Sequence, residues 1–81
     1  YSFHVFPNPS RNHNINIVVG NVKVSEVSLY NNLGQKVGIY NFKRTNNIIN
    51  VNLDNNLKSN IYILAVKTED GAIVNNKIVL Q

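Results

Sequence analysis

The chain of 81 residues contains 43% hydrophobic and 15% charged residues, carries a formal net charge of +4 and has no cysteine. A chain of this length forms one domain, and its apolar content separates it from disordered proteins. The absence of cysteine excludes disulfides and cysteine metal sites. No apolar run approaches the roughly 18–20 residues that a membrane helix needs. The chain begins at Tyr1 rather than at a methionine, so we expect residues 1–81 to be one domain of a longer protein.

The basic residues are distributed singly along the chain, and only Lys43 and Arg44 are adjacent. A nucleic-acid-binding surface clusters its basic residues or interleaves them with aromatic side chains. The even distribution favours solvated strand faces and loop tips. We therefore expect no nucleic-acid partner.

Alternation of apolar and polar residues with period two predicts strands in the first part of the chain. The first strand includes Phe3 and Val5. The segment Pro7-Asn8-Pro9 ends it, because a proline donates no backbone hydrogen bond. The next two strands are predicted over residues 15–19 and 22–30, on either side of a turn.

A change of apolar parity within the third strand predicts a bulge near Ser25 and Glu26. Residues 31–34 predict a turn that ends in a glycine with positive φ. Shorter alternations beyond it predict strands over residues 37–39 and 49–53.

Residues 61–66 are apolar at almost every position. A strand buried on one face would carry polar residues at alternate positions, so this run predicts a central strand with both flanks covered. Residues 69–71 predict a hairpin turn, and residues 72–80 predict the last strand. The pattern favours an all-β fold, a seven-stranded immunoglobulin-like or fibronectin-like antiparallel β-sandwich. Its predicted core includes Ile17, Leu29, Val51, Ile63 and Ile78.

Two residues before and within the central strand support the sandwich. In β-sandwiches a tyrosine at the corner occupied by Tyr62 often donates a hydrogen bond to upstream backbone. Asn60 stands where a glycine would relieve a positive φ, and asparagine is the best substitute for glycine there. We expect both features in the structure.

Residues able to carry chemistry are few and scattered. His4 and His13 have neither a cysteine partner nor the spacing of a zinc site. Glu69 and Asp70 precede a glycine, which favours a turn over a calcium site with several converging oxygens. The serines lack a nucleophile elbow and the glycines form no phosphate-binding loop. We therefore expect no catalytic residue, no metal, no cofactor and no small-molecule substrate.

Four segments are distinctive in their order and spacing. They are Phe6-Pro7-Asn8-Pro9, Val27-Ser28-Leu29-Tyr30-Asn31-Asn32-Leu33-Gly34-Gln35-Lys36-Val37, Leu57-Lys58-Ser59-Asn60-Ile61-Tyr62 and Asn76-Lys77-Ile78-Val79. With these segments, nearly the whole chain resembles the C-terminal sorting domain, type A, of the type IX (Por) secretion system of Bacteroidota. The chain departs mildly from that family at Phe6, where tyrosine is usual, and at Asn60, where glycine is usual.

The resemblance implies a non-catalytic signal domain that directs a larger cargo across the outer membrane, to the cell surface or out of the cell. It implies recognition by an outer-membrane type IX translocon and a shuttle barrel, and domains of this family are often removed by a surface sortase-like peptidase. We expect the last strand to offer unpaired backbone groups to a partner. The recognition residues that the resemblance implies are Pro7, Asn8, Pro9, Asn60, Tyr62, Lys77, Ile78 and Val79.

A second interpretation is a fibronectin-like accessory or carbohydrate-binding module of an extracellular enzyme. Tyr1, Tyr30 and Tyr40 have the side-chain type that stacks on sugars. A linear stripe of exposed aromatic side chains on one sheet face would favour this interpretation.

Overall fold

Eight β-strands and no helix make up the computed structural model, which describes all residues from Tyr1 to Gln81. The strands are β1 His4–Phe6, β2 Asn14–Val18, β3 Val24–Asn31, β4 Lys36–Tyr40, β5 Phe42–Thr45, β6 Ile48–Asn52, β7 Asn60–Thr68 and β8 Ile73–Leu80. Sheet 1 has the strand order β1-β2-β6-β5, and sheet 2 has the order β4-β3-β7-β8. All pairs within the two sheets are antiparallel. The predicted all-β antiparallel sandwich is confirmed, with eight strands in place of seven. The chain has no helix with the length and hydropathy needed to cross a membrane.

The additional strand is β5, which lies at the edge of sheet 1 and pairs with β6. A two-residue turn joins these strands, and Asn46 within it has a φ of 54°. Asparagine tolerates this left-handed region better than most residues. Only Phe42 of β5 is partly buried, and its other three residues are exposed. An exposed edge strand has no alternation of apolar residues, which is why the sequence did not reveal it.

The core lies between the two sheets and is built from alternate residues of paired strands. In sheet 1, Ile15 and Ile17 of β2 pair with Val51 and Ile49 of β6, and all four side chains are fully buried. The intervening residues of both strands are mainly asparagines that face outward. Because side chains alternate between the two faces of a strand, one face of sheet 1 is directed toward the core, as the sequence predicted.

Sheet 2 buries the residues of β7 that alternate with Ile63. Tyr62, Leu64 and Val66 face the core with exposures of 6%, 0% and 0%, whereas Ile63 is half-buried on the outer face. The prediction of Ile63 as a core residue is therefore wrong. A run that is apolar at every position carries no alternation, so the sequence did not determine which residues face inward. The other predicted core residues are confirmed: Ile17, Leu29, Val51 and Ile78.

Several irregular positions of the backbone fall where the sequence predicted them. The register of β3 against β7 shifts between Val24 and Glu26, which confirms the bulge. Gly34 and Gly71 occupy turns with φ values of 82° and 93°, a region that most side chains avoid. Strand β1 ends at Phe6, directly before the first proline.

The tyrosine corner is confirmed, but the asparagine before it behaves differently. The Tyr62 hydroxyl donates a hydrogen bond to the backbone oxygen of Lys58 at 2.8 Å. Asn60 is not among the residues with positive φ, so that expectation is wrong. It is instead the first residue of β7, and its side-chain oxygen accepts a hydrogen bond from the Ile61 amide at 2.8 Å.

Candidate functional site

The proline segment near the N-terminus lies against the end of β8, and Asn8 joins the two. The Asn8 Oδ1 accepts a hydrogen bond from the Val79 amide at 2.9 Å, and its Nδ2 donates to the Lys77 carbonyl at 3.1 Å. One side-chain amide therefore accepts from and donates to the same strand, as the backbone of a neighbouring strand would. Asn8 extends the pairing of sheet 2 by one residue beyond β8.

Ser10 continues this pairing with its backbone. Its amide donates to the Val79 carbonyl, and its carbonyl accepts from the Gln81 amide, both at 2.9 Å. Ser10 is only 1% exposed, so these bonds lie in a protected position. We call the surface formed by residues 7–10 and 77–81 the terminal edge.

The expectation that the last strand offers free backbone groups to a partner is wrong at the terminal edge. Four backbone groups of residues 77–81 are bonded to Asn8 and Ser10 on the side away from β7: the Lys77 carbonyl, the Val79 amide and carbonyl, and the Gln81 amide. A partner strand cannot pair with these groups unless the two residues are displaced. The neighbouring prolines carry no N–H, which explains why this segment pairs through the Asn8 side chain rather than by a regular ladder.

The eight residues predicted for recognition lie at this end of sheet 2 but differ in exposure. Tyr62 and Ile78 pair across β7 and β8 and are 6% and 1% exposed. They hold the two strands together and cannot contact a partner of the folded domain. The other six reach the surface, with Val79 half-buried among them: Pro7, Asn8, Pro9, Asn60, Lys77 and Val79.

Ser10 and Gln81 complete the terminal edge although the sequence analysis did not single them out. The bonds between them, and between Ser10 and Val79, are made by backbone atoms. Every residue type except proline carries both of these backbone groups. No side-chain pattern could therefore have revealed this part of the site.

Polar residues elsewhere serve the loops and turns. His13 is 8% exposed with a φ of 59°, and its Nδ1 donates to the Asp54 carbonyl at 2.7 Å. The hydroxyls of Thr68 and Tyr1 donate to the Asp70 carboxylate, and these bonds hold the pKa of Asp70 below its usual value. The structure brings together no group of three or more His, Cys, Asp or Glu side chains that could hold a metal ion.

The tyrosines form no exposed stripe on either sheet. Tyr62 is in the core, and Tyr40 packs against the core while donating to the Asp54 carboxylate at 3.0 Å. Partial burial, together with this hydrogen bond, raises the pKa of Tyr40 to about 12. Tyr30 is half-buried on the outer face of sheet 2, and Tyr1 lies at the N-terminus. This arrangement lacks the feature that would favour a carbohydrate-binding module.

Comparison with known families identifies the family of the chain. The model of the family described as "Secretion system C-terminal sorting domain" matches residues 4–81. The chain belongs to this family, the sorting domains of type IX secretion. No curated protein matches the chain. The resemblance stated from the sequence is confirmed.

Membership in this family indicates which kind of feature these residues should carry. A type IX sorting domain is a signal for export to the cell surface or out of the cell, and it is not itself catalytic. The features to be explained are therefore surfaces rather than a reactive centre. The terminal edge is one such surface, because it contains three residues from each of two of the four segments that carry the family resemblance.

Replacing Asn8 tests how much the terminal edge stabilises the sorting domain. Asn8→Ala removes two hydrogen bonds to β8, and we expect the free energy of unfolding to fall by about 1–3 kcal/mol. Asn8→Asp keeps an acceptor for the Val79 amide but places a carboxylate against the Lys77 carbonyl, so it should also destabilise. Chemical denaturation measures both. Asn21→Ala, an exposed position in a turn, should change little, and an Asn8→Ala domain as stable as the unmodified one would contradict the structure.

Proposed function

We propose that this sorting domain is the address of a larger cargo protein and that an outer-membrane type IX translocon recognises it at the terminal edge. The observation that carries the proposal is the contact of Asn8 with Lys77 and Val79. It joins two segments that lie 69 residues apart in the chain into one surface. In this proposal residues 1–81 carry the signal, and the activity of the cargo belongs to other residues.

The closed edge favours recognition through side chains over addition of a partner strand. Pro7, Pro9 and Lys77 are exposed beside backbone that is already paired. A surface ordered before binding loses little conformational entropy when a partner docks. The ammonium group of Lys77 would orient the docking partner more than it would increase affinity.

The steps after translocation are part of the same proposal. Transfer to a shuttle barrel and removal of the domain by a surface sortase-like peptidase are supported by family membership. The terminal edge would contact the translocon before either step. Neither later partner is needed for the experiment that tests the proposal.

An export assay tests whether the domain is a sufficient address. The domain is fused to a periplasm-directed reporter and expressed in a host with type IX machinery and in the same host without its outer-membrane translocon. We expect the reporter outside the cell or on its surface only in the first host, and in the periplasm of both hosts when the reporter lacks the domain. Periplasmic retention of the fusion in the first host, or equal export from both, would contradict the proposal.

A further inference from the structure

The outer face of sheet 2 carries a groove that the terminal edge does not explain. Its floor is made of small side chains, because Ser28 of β3 pairs with Ala65 of β7. Larger side chains rise on one side of this floor, where Tyr30 pairs with Ile63. The groove has a volume of about 750 Å³. We call it the outer groove.

The outer groove is apolar where an exposed sheet face is normally polar. Ile61 and Ile73 line it and are 40% and 62% exposed, and Ile63 lies between them on the same face. An antiparallel sheet with one solvated face places polar residues on that face. Large exposed apolar surfaces of this kind mark interaction sites.

Sheet 1 provides the comparison within the same molecule, because its outer face follows the usual rule. Asn14, Asn16 and Asn50 face outward there and form a network of amide hydrogen bonds. The same period of two thus gives asparagine on one outer face and isoleucine on the other. The apolar run over residues 61–66 predicts a strand that is covered on both faces. In the structure only the inner face of β7 is covered, by sheet 1.

The charges around the outer groove indicate the kind of surface that would cover the outer face of β7. Lys67 and Lys77 line the groove, and its one acidic residue is Glu26. The Glu26 carboxylate already accepts a hydrogen bond from the Ser28 hydroxyl at 3.1 Å. A second copy of this face would set lysines against lysines, so the complementary surface is one with an excess of carboxylates.

We propose that the outer groove docks a protein surface of the export machinery that presents apolar side chains with carboxylates placed to meet Lys67 and Lys77. This inference rests on the proposed function and adds a second contact surface to it. The groove is continuous with the terminal edge, because Lys77 belongs to both and Val79 pairs with Ile61. A partner at the edge would therefore extend over the groove without a gap.

Two variants test the outer groove in the reporter fusion. Ala65→Phe fills the floor, and Lys67→Glu reverses one charge at an exposed position. We expect each to lower the exported fraction about tenfold, the loss typical of a disrupted central contact. The controls Thr45→Phe and Lys43→Glu introduce a phenylalanine and the same charge reversal at exposed residues of sheet 1 and should leave export unchanged. Melting curves on the purified variants report folding, and Lys67→Glu, at an exposed position, keeps the test valid if Ala65→Phe fails to fold.

The outcomes separate this inference from the proposed function. Retention of the unmodified fusion in the periplasm would overturn the proposed function and this inference with it. Normal export of the unmodified fusion and of folded Ala65→Phe and Lys67→Glu variants would overturn the inference that the outer groove docks a partner. The proposed function would then stand. Sedimentation that shows a dimer of the unmodified domain, lost in Ala65→Phe, would also overturn it, because the face would then bind a second copy.

Discussion

Leu64→Ala should lower the free energy of unfolding by about 2–5 kcal/mol, the usual cost of truncating a buried leucine. Leu64 is fully buried in β7 and pairs with Leu29 of β3, which is also fully buried. The surrounding strands are held by their ladders and can close the resulting cavity only in part. A domain of this size has a total stability near the lower end of about 5–15 kcal/mol, so the variant should be largely unfolded at moderate temperature. Thermal and chemical denaturation measure the change.

Ile63→Ala is the matched control, one residue away on the same strand. Ile63 is half-buried and lines the outer groove, so its truncation should cost about 1 kcal/mol or less. A shift of one residue in a strand exchanges its inner and outer faces. A larger loss for Ile63→Ala than for Leu64→Ala would therefore mean that β7 presents the opposite face to the core.

Deletion of residues 77–81 should abolish the folded state. The deletion removes Ile78 and Leu80, each 1% exposed and each part of the core. Losing two such side chains costs on the order of 5–10 kcal/mol, which is comparable with the whole stability of a small domain. The bonds of Asn8 and Ser10 to β8 are lost as well. Circular dichroism should show no cooperative melting transition.

This outcome determines which variants can report on recognition. A truncated domain that is not exported would reflect unfolding, not a missing contact. Single substitutions at exposed residues, such as Lys77→Ala, avoid the problem because they remove no core side chain. A truncated chain that still melts cooperatively near the temperature of the intact domain would contradict the structural role of Ile78 and Leu80.

The sequence was sufficient for the sandwich because burial on one face imposes period two on most strands. Ile15, Ile17 and Val51 alternate with outward asparagines, and their inward orientation could be predicted directly. The pattern failed where burial differs from this rule. Strand β5 is exposed and shows no alternation, while the outer face of β7 is apolar and hides the alternation.

The residues of the candidate site were predictable, but their arrangement was not. The family resemblance selected Asn8 and Lys77, yet nothing local indicates that one bonds to the backbone of the other 69 residues away. A free edge was the natural expectation for a last strand. The closure of that edge depends on the tertiary placement of Asn8 and Ser10 beside β8, which only the structure provides.

Export of the reporter fusion carrying Lys77→Ala tests most directly the claim that the terminal edge, at the residue that it shares with the outer groove, is part of the recognised surface. Lys43→Ala is the matched control, because it removes the same charge from an exposed strand residue of sheet 1. We predict that both domains melt like the unmodified one, that Lys43→Ala is exported normally, and that export of Lys77→Ala falls about tenfold. Undiminished export of a folded Lys77→Ala fusion would contradict the claim and locate the signal elsewhere on the sandwich.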